Sequence, residues 1–501
     1  MGVHCRCRGD AGLLRGYGTF SRSTADFRRA GLKPYNWWNF NFAGNRNIMT
    51  TKRRIGLIAM SGVRAHNNEL TRLGLTLPGF VDRNKIIASL PSLGLLTLAG
   101  LTPDQFEVSY HEIADLKKLA ELPTDFNLVA ISTFTAQFHE TCDAADFFRA
   151  HGIPVVMGGI TVSSLREQAK EHCDSVVVGE GELLWPTVLA DFDRNGLKPF
   201  YSTTREFNLA DAPMPRFDLL APQKYNRLTV QTSRGCPHRC EFCASSILLT
   251  SRYKVKPVEK VIAEIREIKR IWPRPFIEFA DDNSFVRRDH YKNLLRELAK
   301  ENIHWFTEAD IGVAADDELL GLMRDSGCQQ VLIGLESPRR ANLDGLELRK
   351  NWKAKQQDHY RTAIARIQSY GVTVNGCFIL GLDGDTPEVF DDVLNFVRDS
   401  NLYEVQVTFQ TPFPGTPLYS RLKREGRILR DNAWELCTLF DINFQPKNMS
   451  VAQLQTGLLK LVKQLYSTEE THERRARFKR MLKTSPNFGR RVVRQERRLA
   501  A

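Results

Sequence analysis

Eleven short strand-like runs, separated by stretches long enough for a helix, constrain this chain most. Runs such as Ile55–Met60 and Leu128–Ser132 are nearly continuous in apolar residues, as strands buried on both faces of a parallel sheet are. Strands alternating with helices build α/β layers. The first five runs, Ile55–Met60, Phe106–His111, Leu128–Ser132, Pro154–Gly159 and Ser175–Glu182, predict a doubly wound, Rossmann-like domain over residues 51–190. The last six predict a partial (β/α)6 TIM-like barrel over 228–425: Leu228–Thr232, Pro275–Ala280, Ile303–Ala309, Gln330–Gly334, Val372–Leu380 and Val405–Gln410. Helices are expected at Pro91–Gly100, Ala136–His151 and Lys256–Ile271. Asp211-Ala212-Pro213-Met214-Pro215 and Pro222 mark 191–227 as a linker. Beyond Tyr419 the chain reads as helical. Leu454, Leu458, Leu461, Val462 and Leu465 keep a helix period, so 426–501 is a small α-helical region with a basic tail.

Both sheet types bind ligands beyond the carboxyl ends of their strands. Two glycine pairs stand at such ends, Gly158-Gly159 and Gly179-Glu180-Gly181. There the backbone can come close to a ligand. In the second unit the equivalent positions are polar: Asp281-Asp282-Asn283, Glu308 with Asp310, and Glu336-Ser337. An acid there can also cap the following helix.

Arg234-Gly235-Cys236-Pro237-His238-Arg239-Cys240-Glu241-Phe242-Cys243 leaves the first strand of the second unit. Its C-x3-C-x2-C spacing can hold three irons of a [4Fe–4S] cube and leave the fourth open to a small ligand. Thiolates are soft ligands that suit such clusters. Zinc usually takes four ligands in paired groups, and no matching pair follows. Cys328 and Cys377, on or beside barrel strands, read as small buried hydrophobes.

The net charge of +12 is unevenly placed. Residues 1–54 carry +9 and residues 474–498 carry +10, so the chain between them is about −7. Solvated basic ends are the expectation, with peripheral contact to an anionic membrane as a further use and nucleic acid disfavoured. Ten cysteines, scattered apart from the loop and the pair Cys5/Cys7, argue for a reducing compartment and a cytoplasmic location. No run reaches the ~20 apolar residues of a membrane span, and no secretory h-region stands at the start. Residues 1–50 are irregular. Met49 leads straight into a strand and makes a natural beginning, so no function is placed on this extension.

The cysteine loop, with Phe242 before its last cysteine, resembles that of the radical SAM superfamily. The resemblance implies that Cys236, Cys240 and Cys243 hold a [4Fe–4S] cluster. It also implies that S-adenosylmethionine (SAM) chelates the open iron and is cleaved reductively to a 5′-deoxyadenosyl radical. It places Asp281, Asp282 and Glu336 around SAM. The glycine-bearing α/β domain ahead of the loop resembles the cobalamin-binding domain of the B12-dependent branch, and Pro412-Phe413-Pro414-Gly415-Thr416-Pro417 resembles a run of that branch. This implies cobalamin contacts at Ser132, Thr133, Gly158, Gly159, Gly179, Glu180 and Gly181. Two departures stand out. Gly158-Gly159-Ile160-Thr161 lacks the usual histidine, and no D-x-H-x-x-G signature supplies one to cobalt. Lys447-Asn448-Met449-Ser450 and Leu465-Tyr466-Ser467 resemble the C-terminal region of a subgroup that includes hopanoid C-2 methylases.

The family reading implies a cobalamin-dependent radical SAM methyltransferase acting on an unactivated carbon of a small molecule or lipid. A donor such as flavodoxin or ferredoxin would supply its electrons. No protein acid or base is assigned. The same cofactors could instead serve a rearrangement or oxidative cyclisation. A methylthiotransferase acting on RNA would need three further cysteines in the N-terminal domain, which holds only Cys142 and Cys173.

Overall fold

Two six-stranded parallel sheets carry the molecule in the computed structural model, which describes residues 52–73, 90–119, 121–250 and 252–488. The expectations for residues 1–50 and for the extreme C-terminal tail lie outside this set. From Lys52 onward the chain forms one compact unit.

The first sheet contains β1 (Arg53–Met60), β2 (Phe106–Ile113), β3 (Leu128–Thr133), β4 (Val155–Gly158), β5 (Ser175–Val178) and β6 (Phe200–Ser202). Their order is β2-β1-β3-β4-β5-β6. The direction of winding reverses between β1 and β3, and a doubly wound sheet opens a crevice at such a reversal. Ile55, Leu57 and Ile58 are wholly buried, as the continuous apolar run required. The helix Leu93–Leu101 starts later than its proline suggested: Ser92 caps it, and Gly100 lies inside it. A Cβ on Gly100 would stand 2.3 Å from the Met214 carbonyl oxygen, so this glycine lets the connecting chain pack closely.

That connection is more than a tether. It adds β6 to the sheet edge and buries Phe207, Leu209 and Phe217. Proline-rich composition marked its turns but not the apolar anchors between them.

The second sheet begins with β7 (Leu228–Val230). A two-stranded ribbon of β8 (Ser233–Arg234) and β9 (Lys254–Val255) follows. Then come β10 (Phe276–Ser284), β11 (His304–Ala309), β12 (Cys328–Glu336), β13 (Thr373–Leu380) and β14 (Glu404–Phe409). The order β14-β13-β12-β11-β10-β7 is that of a partial barrel. β10 and β12 run longer than expected and take in Asp281, Asp282, Asn283 and Glu336, which the sequence places just beyond the strand ends.

Register aligns Glu308 with Leu332, Leu332 with Asn375, and Asn375 with Glu404. The barrel interior is therefore polar, unlike the branched aliphatic layers of a closed barrel.

The C-terminal region departs from the helical expectation over 426–450. This stretch holds a single-turn 3-10 helix, Trp434–Leu436, and a bridge between Ile428 and Phe444. It straps the C-terminus to the first domain: Trp434 Nε1 donates to Gln168 Oε1 at 3.1 Å, and Asp441 accepts from the His66 backbone at 2.8 Å. Helices Val451–Leu465 and Thr468–Thr484 follow. Part of the basic end is docked rather than solvated. Arg474 is 1% exposed and donates to the Leu465 carbonyl at 2.6 Å.

Among the described residues no helix is long and apolar enough to cross a membrane.

Candidate active site

The loop from Gly235 to Cys243 lies at the carboxyl end of β7, and its entry is held by two adjacent acids, Asp281 and Asp282. Asp281 Oδ1 accepts from the backbone N–H of Thr232 and of Ser233, each at 2.8 Å. Its Oδ2 accepts from Ser284 Oγ at 2.7 Å, Tyr291 Oη at 2.9 Å and the Thr232 hydroxyl. With five donors already on its carboxylate, Asp281 positions the loop entry and has little capacity left for the SAM contact expected of it.

Asp282 Oδ2 accepts from the Gly235 N–H at 2.7 Å; burial pushes this carboxyl up. Gly235, at φ +91°, passes so close to Arg252 that a Cβ would stand 2.7 Å from its carbonyl oxygen. Glu336 sits at φ +64° and pairs with Lys353 at 2.6 Å. Burial disfavours the Lys353 charge, but Glu336 more than restores it and holds the ammonium above its ordinary value.

The three loop cysteines form no disulfide. Burial pushes Cys236 up to about 11 and Cys240 up to about 12, so metal charge is needed to hold them as thiolates. Donors already face the sulfurs: Asn283 Nδ2 lies 3.6 Å from Cys236 Sγ, and Ser246 N lies 3.5 Å from Cys243 Sγ. Three soft sulfurs on one short loop, with hydrogen bonds aimed at them, fit a three-cysteine iron–sulfur cluster. Among the described residues no three His, Cys, Asp or Glu converge on a point that one ion could fill.

A cavity of about 340 Å³ opens between the strand ends of the first sheet and the residues that flank this loop, Gln231 and Arg234 before it and Leu248 and Leu249 after it. Ser132, Gly158, Gly159, Gly179, Glu180 and Gly181 line it; Thr133 does not. Thr133 instead accepts from Thr141 Oγ1 at 2.7 Å. Gly179, at φ +93°, has nothing within 4 Å of an added Cβ, so a side chain there would project into open space. Facing this glycine floor are Leu248 and Leu249, which follow Cys243 on the turn Ser245–Leu249. A floor without side chains and an apolar wall suit a flat macrocycle. None of the lining residues is a histidine.

Glu180 does more than line this cavity. Arg234, immediately before the cluster loop, donates to Glu180 at 2.7 Å and to Glu182 at 2.6 Å. Lys254 adds a 3.0 Å bond to Glu180, and the Phe207 N–H another at 2.6 Å. This buried cluster ties the glycine end of the first sheet to the cysteine loop of the second. The partners of Arg234 stand 54 and 52 residues away, so no local pattern announces them.

Two further residues escaped assignment. Glu308 faces the open interior of the barrel, ringed by protein but not sealed from solvent. Burial and its acidic neighbours, led by Glu278, push its carboxyl up to about 8. His238 stacks on Trp352 at 4.4 Å and approaches Asp310 at 3.2 Å. Cys328 is buried, whereas Cys377 lies on the interior face, near Glu336 and Glu308.

Comparison with known proteins agrees with this architecture. Residues 230–397 match the family model of the radical SAM superfamily, and residues 416–500 match a domain of unknown function, DUF4070. The chain is 26% identical over 384 residues to a bacteriochlorophyllide d C-12(1)-methyltransferase of Chlorobaculum tepidum, covering 75% of this chain and 82% of that one. It is 28% identical to a hopanoid C-2 methylase of Rhodopseudomonas palustris, covering 69% and 67%. The solved structure of OxsB, a cobalamin-dependent SAM radical enzyme, superposes with a TM-score of 0.60 at 15% identity, over 86% of this chain and 71% of that one. Residues 230–397 are therefore a radical SAM domain.

Proposed function

We propose that this radical SAM protein is a cobalamin-dependent C-methyltransferase acting on an unactivated carbon of a small molecule or lipid. One observation carries the reading: within a single compact unit, the three-cysteine loop and the glycine-floored cavity face each other across Arg234. The two relatives are named for methylation of a tetrapyrrole and of a hopanoid, which favours an apolar polycyclic substrate here.

Cys236, Cys240 and Cys243 would hold a [4Fe–4S] cluster, and the cavity between Gly179 and Leu248 would hold the corrin. Bound there, cluster, SAM and cobalamin supply the radical and the methyl group that protein side chains cannot. The protein positions and shields. Asp281 and Asp282 fix the start of the cysteine loop through backbone N–H groups. The Glu336–Lys353 pair keeps a buried charge pair beside the loop, and Leu248 and Leu249 exclude water from the cavity. An external donor of single electrons is required.

The test is anaerobic reconstitution, followed by iron, sulfide and corrinoid analysis and an assay for 5′-deoxyadenosine. Corrinoid-replete protein should form 5′-deoxyadenosine and a product heavier than its substrate by one methylene unit. A product without that gain points to rearrangement or cyclisation with the same cofactors. Retention of the full cluster and of SAM cleavage by Cys243→Ala would refute the cluster assignment.

A further inference from the structure

The outer edge of the cysteine loop is built into a second turn, which follows the short helix Arg340–Leu343 after β12. Cys240 and Glu347 form an antiparallel bridge, which sets the two backbones about 5 Å apart. Leu348 N donates to the Arg239 carbonyl at 2.9 Å, and Glu241 N donates to the Leu346 carbonyl at 3.0 Å.

The Glu347 carboxylate locks the arrangement. It accepts from the backbone N–H of Arg239 at 3.1 Å, Arg349 at 3.0 Å and Lys350 at 2.7 Å. Residues 346–350 are thus a rigid extension of the cluster loop, at the end away from the cavity.

What this turn presents outward is unusual for the molecule. Leu348 is 50% exposed, the highest value among the large apolar side chains described as exposed. Arg349, Lys350 and Lys355 stand exposed near it in sequence, and Arg239 is half-buried. No described carboxylate forms a salt bridge with any of these four cations. The chain between its two basic ends is about −7, and against that average this turn gathers four cations with an exposed acid, Asp344, near them in sequence. An apolar centre with unpaired cations around it suits a transient, electrostatically steered partner.

We propose that the Leu348–Lys350 turn, with Arg239 and Lys355, is the docking surface for an acidic one-electron carrier protein. The proposal rests on the radical SAM reading of the site. The transfer is one electron: the reduced carrier loses it, the cluster gains it through the Cys240 edge, and no bond forms or breaks at the surface.

The test compares two reductants in the fully reconstituted chain, dithionite and photoreduced flavodoxin, an acidic carrier. For Arg349→Glu with Lys350→Glu, 5′-deoxyadenosine formation with dithionite should stay within about twofold of wild type. The flavodoxin-driven rate should fall at least about tenfold, the scale on which steering changes association. The wild-type flavodoxin rate should also fall with added salt. Leu348→Ala should weaken only the flavodoxin reaction.

An unchanged flavodoxin rate in the double variant overturns the proposal, as does an equal loss with both reductants, which would mark the turn as structural. Direct titration of flavodoxin onto the reconstituted chain should show weaker binding by the double variant; RNA or anionic vesicles whose binding the double variant abolishes, with flavodoxin binding unchanged, would assign the surface to another partner and overturn it too. A wild type that makes no 5′-deoxyadenosine with dithionite removes the radical SAM reading itself, and the docking surface with it.

Discussion

Replacing Arg234 with Gln should loosen the joint between the two halves of the site. The side chains of Arg234, Glu180 and Glu182 are 10%, 6% and 11% exposed, so their charges are largely withdrawn from water. Removing one partner of a buried ion pair costs about 3–5 kcal/mol, because the remaining charge is left without compensation. Lys254 still lies 3.0 Å from Glu180, so the uncompensated group is Glu182 alone. The lower end of the range, about 3 kcal/mol, is therefore expected. At a urea m-value of about 3 kcal/mol/M this lowers the midpoint by about 1 M.

A double-mutant cycle isolates the contact. Glu182→Gln combined with Arg234→Gln should recover at least about 1 kcal/mol relative to additivity. The pH dependence has a definite sign. Burial alone would raise the Glu180 carboxyl, but the Phe207 N–H and the cations of Lys254 and Arg234 more than offset it and hold it below its ordinary value. A depressed carboxylate stabilises fully above its unfolded value and loses that stabilisation as pH falls through its folded value. The gap between wild type and Arg234→Gln should thus be widest near neutrality and close in acid. The variant should also bind corrinoid more weakly. A midpoint within about 0.2 M of wild type, or strict additivity in the cycle, would refute the clamp.

Other expectations follow from the same geometry. Asp281→Ala strands two buried backbone N–H groups at about 1–3 kcal/mol each, so a loss of about 2–6 kcal/mol is expected; hydrogen exchange at Thr232 and Ser233 should accelerate, and unchanged protection would sink the positioning role. Gly179→Leu combines strain of about 1–2 kcal/mol at positive φ with a side chain in the cavity. It should abolish the corrinoid absorbance while iron content stays at the wild-type level, and simultaneous loss of iron would argue against separate sites. Burial among acidic neighbours pushes the Glu308 carboxyl up from its ordinary 4.5 to about 8, so the folded state holds the extra proton and wild-type stability should fall as pH rises between those values. Thermal midpoints of Glu308→Gln should gain on wild type from pH 5 to pH 8 and then stay level; parallel curves would mean that Glu308 is not perturbed.

The elements legible in sequence were those whose cause is local. Cys236, Cys240 and Cys243 are tied by covalent spacing, so their loop could be read as a cluster loop before any fold was known. Ile55–Met60 could be a buried parallel strand because burial on both faces leaves no room for polar alternation. Gly158, Gly159 and Gly179 stood out because a strand end that meets a ligand tolerates no side chain.

Tertiary structure decided what each acid does. Asp281 looked like a pocket residue until Thr232, Ser233, Ser284 and Tyr291 filled its acceptors; Ser284 is local, but Thr232 and Ser233 stand 49 and 48 residues away and meet Asp281 only in the barrel. Glu180 looked like a cavity residue until Arg234 reached it from the next domain. Glu347 drew no notice, yet it knits Arg239 to a turn 108 residues away. Composition could mark the cationic ends of the chain, but only packing showed that Arg474 is buried against the barrel. Side-chain chemistry and spacing therefore determine which cofactors this sequence can hold. Long-range contacts determine which charges are spent on holding the site together, because a carboxylate is free for a ligand only after every donor within its reach has been counted.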